Sequence, residues 1–189
     1  MNTLKKILIG IGILITILII VSFFLPSKLH IEKSIEINAP AELVFEQFNT
    51  LQNWEKWSPW VKMDPQSKRE YFGAGSGVGS GYSWKGDKTG EGKLTITESN
   101  PYTSIVTELD MRGEKVYPGF NFEESDGKTK VTWYFDSDAG LNPFGRYMNL
   151  MIKGMLGQQF EQGLNDVKQI VESLPVPEEG EPIVIEEVK

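Results

Sequence analysis

Hydrophobic and polar positions change rhythm three times along this chain. From Ile7 to Leu25 there is no rhythm: 19 uncharged residues, mostly Ile, Leu, Val and Phe, are relieved only by Gly10, Gly12, Thr16 and Ser22. A helix that is apolar on every side has no face to turn to water. At ~1.5 Å rise per residue the run covers roughly 28 Å, about the thickness of a hydrocarbon core. It predicts a single transmembrane anchor at 7–25 in contact with the lipid bilayer. A cleaved secretory signal has a shorter apolar centre that ends in small residues; this run ends in Phe23, Phe24, Leu25 and Pro26. Lys5, Lys6 and the amino terminus precede it, while Lys28 and Lys33 follow it diluted by Glu32 and Glu36. The positive-inside bias, by about one charge, places residues 1–6 in the cytoplasm and the body outside it, on a cell membrane.

The second rhythm has period two. Leu29–Ile37 reads as a strand with Leu29, Ile31, Ile35 and Ile37 on one face. Asn38-Ala39-Pro40 then starts a short helix whose buried stripe is Val44, Phe45, Phe48 and Leu51. A second short helix over Leu51–Trp57 should stop before Pro59. Alternation returns in Arg69–Phe72, Gly81–Trp84, Lys93–Glu98, Ser104–Met111, Gly119–Glu123 and Lys130–Phe135, with turns at Asn100-Pro101, Pro118-Gly119 and Asp126-Gly127. Consecutive short strands of this kind form an antiparallel sheet.

The third rhythm is helical. From about Pro143 to Leu174, Leu156, Phe160, Leu164, Val167, Val171 and Leu174 recur at three and four residues. A meander with one long amphipathic helix left over has an economical solution, in which the sheet curls around the helix. The expected class is α+β, with two short helices after the first strand. The body spans 26–174. Residues 175–189 carry three Pro and five Glu and read as an acidic disordered tail.

Composition removes function classes. The net charge is −7, which argues against nucleic acid as a partner, because binding phosphates needs a basic face. With no Cys and one His, thiolate chemistry and His-rich metal sites are excluded, and no cofactor is indicated. The segment GAGSGVGSG, Gly73 to Gly81, fits neither a dinucleotide fingerprint nor a P-loop in any frame, and reads as a long mobile hairpin loop. Trp54, Trp57 and Trp60 form either a packed aromatic wall or a lid over a cavity mouth. Gly154, Gly157 and Gly163 each cost the long helix about 1 kcal/mol, so they serve either close packing or room for a ligand. His30 lies at the expected membrane edge, and Asp136 and Asp138 follow the last strand as a solvated turn. No nucleophile–base or metal set can be assembled, so no catalytic residue is assigned.

The run SIEINAPAELVFEQFNTLQNWEKWSPW, the later Trp84 and Gly86, and the C-terminal amphipathic helix together resemble the START/polyketide cyclase (SRPBCC) superfamily. These are the helix-grip proteins, which include the major birch pollen allergen. The match is nearest the polyketide cyclase/dehydrase-like group and covers about Leu29 to Leu174. The resemblance implies a curved sheet gripping a long helix, with a deep apolar cavity between them for lipids, sterols, polyketides or other hydrophobic molecules. It implies no shared catalytic residues.

Three functions follow as expectations. The first is a membrane-anchored binder or carrier of a small hydrophobic, lipid-like or polyketide-like ligand. Its cavity should be lined by Trp57, Tyr82, Trp84, Leu109, Met111, Phe120, Phe122, Trp133, Phe135, Met151 and Met155. The second is an interaction module with a collapsed cavity, for which the sequence names no protein partner. The third is a cyclase- or dehydratase-like enzyme.

Overall fold

A computed structural model describes residues 3–174; the expected acidic tail at 175–189 lies outside the described residues. The chain begins with α1 (Thr3–Ser22), whose side chains are exposed along nearly its whole length. It has a mean hydropathy of 2.6 over its most apolar window and is long and apolar enough to cross a membrane. The helix starts four residues earlier than the apolar run and ends at Ser22, with Phe23–Leu25 closing its last turn.

Next come β1 (Lys28–Ile37), α2 (Ala41–Asn49), a 3-10 turn (Leu51–Asn53), α3 (Trp54–Trp57) and α4 (Pro59–Met63). The strands β2 (Lys68–Phe72), β3 (Gly81–Gly86), β4 (Gly90–Asn100), β5 (Ser104–Met111), β6 (Glu114–Val116), β7 (Gly119–Ser125) and β8 (Lys128–Asp138) follow, and α5 (Pro143–Glu172) ends the body. The eight strands form one antiparallel sheet in the order β1-β8-β7-β5-β4-β3-β2, with β6 folded back on β5. The long helix lies chiefly across β1.

Local chemistry explains the elements. Pro40 gives α2 no side-chain cap, and Glu124 of β7 supplies one, its Oε2 accepting from the Ala41 amide at 2.8 Å. Asn142 caps α5 by accepting from the Gly145 amide, with Pro143 at the first helical position. The second short helix ends at Trp57, before Pro59, as expected. Ser58, held extended before Pro59, breaks it, and Pro59 then starts α4. A bulge between Ile96 and Glu98 bends β4 as the sheet curls. Strand β6 carries no signal in the sequence, because three residues are too few to display a period.

The Gly-rich segment is the hairpin loop between β2 and β3, and it is stitched to the end of α2. Leu51 N donates to Gly75 O, Gly77 N to Asn49 O and Gly79 N to Ile96 O. Gly73, Gly75, Gly77 and Gly79 all have positive φ, and this alternation folds the segment tightly enough to make those bonds.

Candidate functional site: the concave face under the long helix

Along the strands every second side chain points to the concave side. On β8 these are Thr129, Val131, Trp133 and Phe135; on β7 Phe120 and Phe122; on β5 Ile105, Thr107 and Leu109; on β4 Leu94 and Ile96; and on β3 Tyr82 and Trp84. The register sets them in rows, with Trp133 beside Phe120 and Leu94 between Tyr82 and Leu109.

The deep part of this face is filled by the protein's own rings. Phe48 of α2 packs on Phe120 at 4.6 Å between centroids and on Trp57 at 5.1 Å. Trp57 meets Trp133 edge-on, and Trp133 stacks flat on Phe160 of α5 at 4.2 Å. The indoles of Trp54 and Trp57 donate to the Phe48 and Gln47 carbonyls, so both polar edges are satisfied while the rings stay buried. The tryptophan cluster is therefore a wall for Trp54 and Trp57, while Trp60 is half-buried against Trp133 and Phe160.

The two surface grooves beside α5 do not replace that space. One, of about 260 Å³, runs between Lys33, Ser34, Ile35, Glu161, Leu164 and Asn165. The other, of about 280 Å³, lies near Lys56, Lys62, Asp166 and Gln169. Both are smaller than the ~300–1,000 Å³ of ordinary ligand sites and are lined by many polar groups.

Toward the end of the sheet near the start of β1, where the register sets Phe135 opposite Ile31, the burial is less complete. Trp84, Leu109 and Phe135 from the sheet, and Ile152 and Leu156 from α5, are half-buried against the core. Trp84 lies over Gly92 so closely that an added Cβ would meet its ring at 2.5 Å. Its indole donates to Thr89 O at 3.3 Å, which fixes the ring at the rim.

The residues expected to line the cavity thus divide into three groups. Trp57, Tyr82, Phe120, Phe122 and Trp133 are buried in the aromatic floor. Trp84, Leu109 and Phe135 reach the half-open rim. Met151 and Met155 are not brought to the concavity: they are 72% and 53% exposed. Met111, the last residue of β5, has the parity of Leu109 but is 45% exposed. The two helix methionines suit a pocket by chemistry, but at ~100° per residue they sit on the side of α5 away from Phe160 and Leu164. The signal missed was phase. Stepping back four residues from Phe160 gives Leu156, and four more gives Ile152.

The helix glycines divide similarly. A Cβ on Gly163 would lie 2.9 Å from Trp133 and 3.2 Å from Pro59, so this glycine permits close packing. A Cβ on Gly154 would meet nothing within 4 Å, and one on Gly157 only Lys33 at 3.7 Å. Neither of these opens room for a ligand inside the fold.

The polar groups are mostly committed elsewhere. Tyr82 is buried beneath the α3 aromatics, and burial pushes its phenol above the usual range, so it stays neutral. Asp64 is buried but accepts from the Lys88 and Thr89 amides and from the Thr89 hydroxyl, which holds its carboxyl below the usual value and pins the β3–β4 turn. Asp138 accepts from the Gly140 amide, in the turn that leads to α5. His30 is on the exposed face of β1, where Nδ1 bonds Asp136 at 2.8 Å and Nε2 approaches Glu32 at 3.3 Å. Those bonds raise its pKa above 6.5. Cross-strand register brings His30 to Asp136, a pair that separation in sequence had hidden.

A family model described as polyketide cyclase / dehydrase and lipid transport matches residues 28–172. The chain belongs to this family. The fold is that of its helix-grip members, a ligand-binding or cyclase-like architecture. Protein MLL2253 from Mesorhizobium loti is similar over 78% of this chain and 99% of its own, with 12% identity and a TM-score of 0.58. DynU16, a protein of the dynemicin biosynthetic locus, is similar over 76% of this chain with 12% identity and a TM-score of 0.54. The di-domain ARO/CYC protein BexL from the BE-7585A biosynthetic pathway is similar over 79% of this chain with 14% identity and a TM-score of 0.55. The chain spans about half the length of the last two, 47% and 52%. At such identities the likeness shows the fold. No curated protein matches the sequence.

Proposed function

We propose that this protein is a membrane-anchored binder of a small hydrophobic molecule, with α1 as the anchor and the body outside the cytoplasm. The observation that carries the reading is the half-buried apolar rim of Trp84, Leu109, Phe135, Ile152 and Leu156. Large apolar side chains left partly wet at the mouth of a concavity mark a place where another apolar group gains by burial, at ~25 cal/mol per Å². Only Phe23–Ser27 separates α1 from β1, so the anchor would hold this end of the body beside the lipid in which such a ligand dissolves. The aromatic floor limits the ligand to the rim unless the floor rings turn aside.

The filled floor favours a second reading, an interaction module with a collapsed cavity. One experiment decides between them. Full-length protein in mild detergent is titrated with a fluorescent fatty-acid analogue and examined by native mass spectrometry. The binder reading expects saturable 1:1 binding, weakened several-fold by Leu156→Trp at the rim. Absence of saturable binding, or binding unchanged by Leu156→Trp in a folded variant, overturns it and leaves the collapsed module.

A further inference from the structure

The first half of α5 carries apolar surface that the body does not use. Phe144 is 71% exposed, Met151 72%, Leu150 53% and Met155 53%. Phe144, Met148, Met151 and Met155 are spaced by four, three and four residues, so they form one stripe. That stripe faces away from the sheet, whereas Asn149 is the sole buried residue between Pro143 and Leu156. Leu141, before the helix, and Phe24, after α1, are exposed as well.

The surface is continuous with α1. Tyr147 Oη donates to the Leu18 carbonyl at 2.9 Å. Arg146 Nη1 donates to the carbonyls of Ser22, Phe23 and Leu25 at 3.0–3.3 Å, and its guanidinium lies 5.5 Å from the Phe23 ring. Asn149 Nδ2 donates to Ser27 O at 2.8 Å. Leu18 lies four residues before the end of α1 at Ser22. At ~1.5 Å per residue that is roughly 6 Å along the helix. The start of α5 therefore stands beside the last turns of the apolar helix, not above them. An amphipathic helix lying in a bilayer interface buries its apolar face by ~5–10 Å, which is the same depth.

Charge agrees. Between Leu141 and Phe160 the chain has Arg146 and Lys153 and no Asp or Glu, although the whole chain carries −7. The remainder of the body is acidic and should be held off an anionic membrane, whereas this stretch is drawn to it.

The geometry points to the first half of α5, with Phe144, Met151 and Met155, as a second membrane contact that inserts into the headgroup–acyl boundary of an anionic bilayer and fixes the body against it. This rests on the reading of α1 as a membrane anchor. It goes beyond it by giving the body one orientation, with the rim at Ile152 and Leu156 turned close to the lipid.

The chain has no Cys, so a single introduced thiol reports one position. Full-length Met151→Cys and Phe144→Cys, each labelled with an environment-sensitive fluorophore, are reconstituted into phosphatidylcholine/phosphatidylglycerol vesicles. Glu123→Cys on the distant β7, an exposed position, is the control. The expected result is a blue shift at 151 and 144, strong quenching by lipid-borne nitroxide and several-fold protection from aqueous iodide, with the reverse at 123. Labels at 151 and 144 open to iodide, in protein that floats with the vesicles, overturn the second contact and leave the anchor intact. Labels shielded from both quenchers mean a protein covering, such as a second copy, and overturn it too. Protein that fails to float shows that the anchor reading itself has failed, and the proposal with it.

Discussion

The two halves of α5 share one helix and are held by different forces. In the second half Phe160, Leu164, Val167 and Val171 are buried, Gly163 lets Trp133 approach, and Phe160 stacks on that ring. The first half buries only Asn149 among its residues up to Leu156, and is held by polar links from Arg146, Tyr147 and Asn149 to carbonyls of α1 and the segment after it. One half is core packing, which acts by excluded water. The other is a joint made of directional bonds around an apolar stripe that the body leaves uncovered. A continuous helix thus serves two surroundings, and the change falls near Leu156.

The sharpest test of this contrast is truncation. In a soluble form beginning at Lys28, Phe160→Ala should lower unfolding stability by ~3–5 kcal/mol, because it removes a buried ring and leaves a cavity. Met151→Ala should stay within about 0.5 kcal/mol, as exposed positions do. Urea melts measure both. Equal losses would mean that the first half is packed as tightly as the second.

The glycines give a smaller effect of opposite sign. Gly163→Val should destabilise by ~1–3 kcal/mol, because its Cβ would collide with Trp133 and press tightly on Pro59. Gly154→Ala should stabilise by up to ~1 kcal/mol, because its Cβ meets nothing and Ala is the better helix former. Thermal melts of the same soluble form check the two signs. A destabilising Gly154→Ala would show that something packs on this face after all.

The smallest effect concerns the polar end of the body. His30 is bonded to Asp136 and Glu32, and its pKa is raised above 6.5. A raised folded value means that its contribution is full below ~6.5 and is lost as pH rises through the folded pKa. Its NMR titration, the single imidazole in the chain, should show a midpoint above 6.5 that falls toward it in high salt. A midpoint at or below 6.5 would remove this pair from the polar links of that end.

Much of the architecture was legible because it is written in periods. The unbroken apolar run gave α1, alternation gave seven of the eight strands, and the Leu156–Phe160–Leu164 stripe gave the buried face of α5. These features need only neighbours in sequence. The candidate site was less legible. Trp84, Leu109 and Phe135 follow from strand parity and reach the rim, but whether an inward ring fills a cavity or lines one depends on its distance from the opposite wall. Met151 and Met155 suited a pocket by chemistry, and helical phase put them outside it.

The sequence alone determined which residues are apolar, their spacing, and hence the elements and the faces they bury. Tertiary structure decided what those faces meet. It brought Phe160 onto Trp133, His30 to Asp136 and Glu124 to the uncapped start of α2, all pairs far apart in the chain. It also stitched the Gly-rich segment to α2 and left the start of α5 uncovered beside α1. The physical reason is that hydrophobic periodicity fixes the direction of a side chain but not the partner it finds there. The partner follows from the curvature of the sheet and the strand register, which are properties of the whole chain.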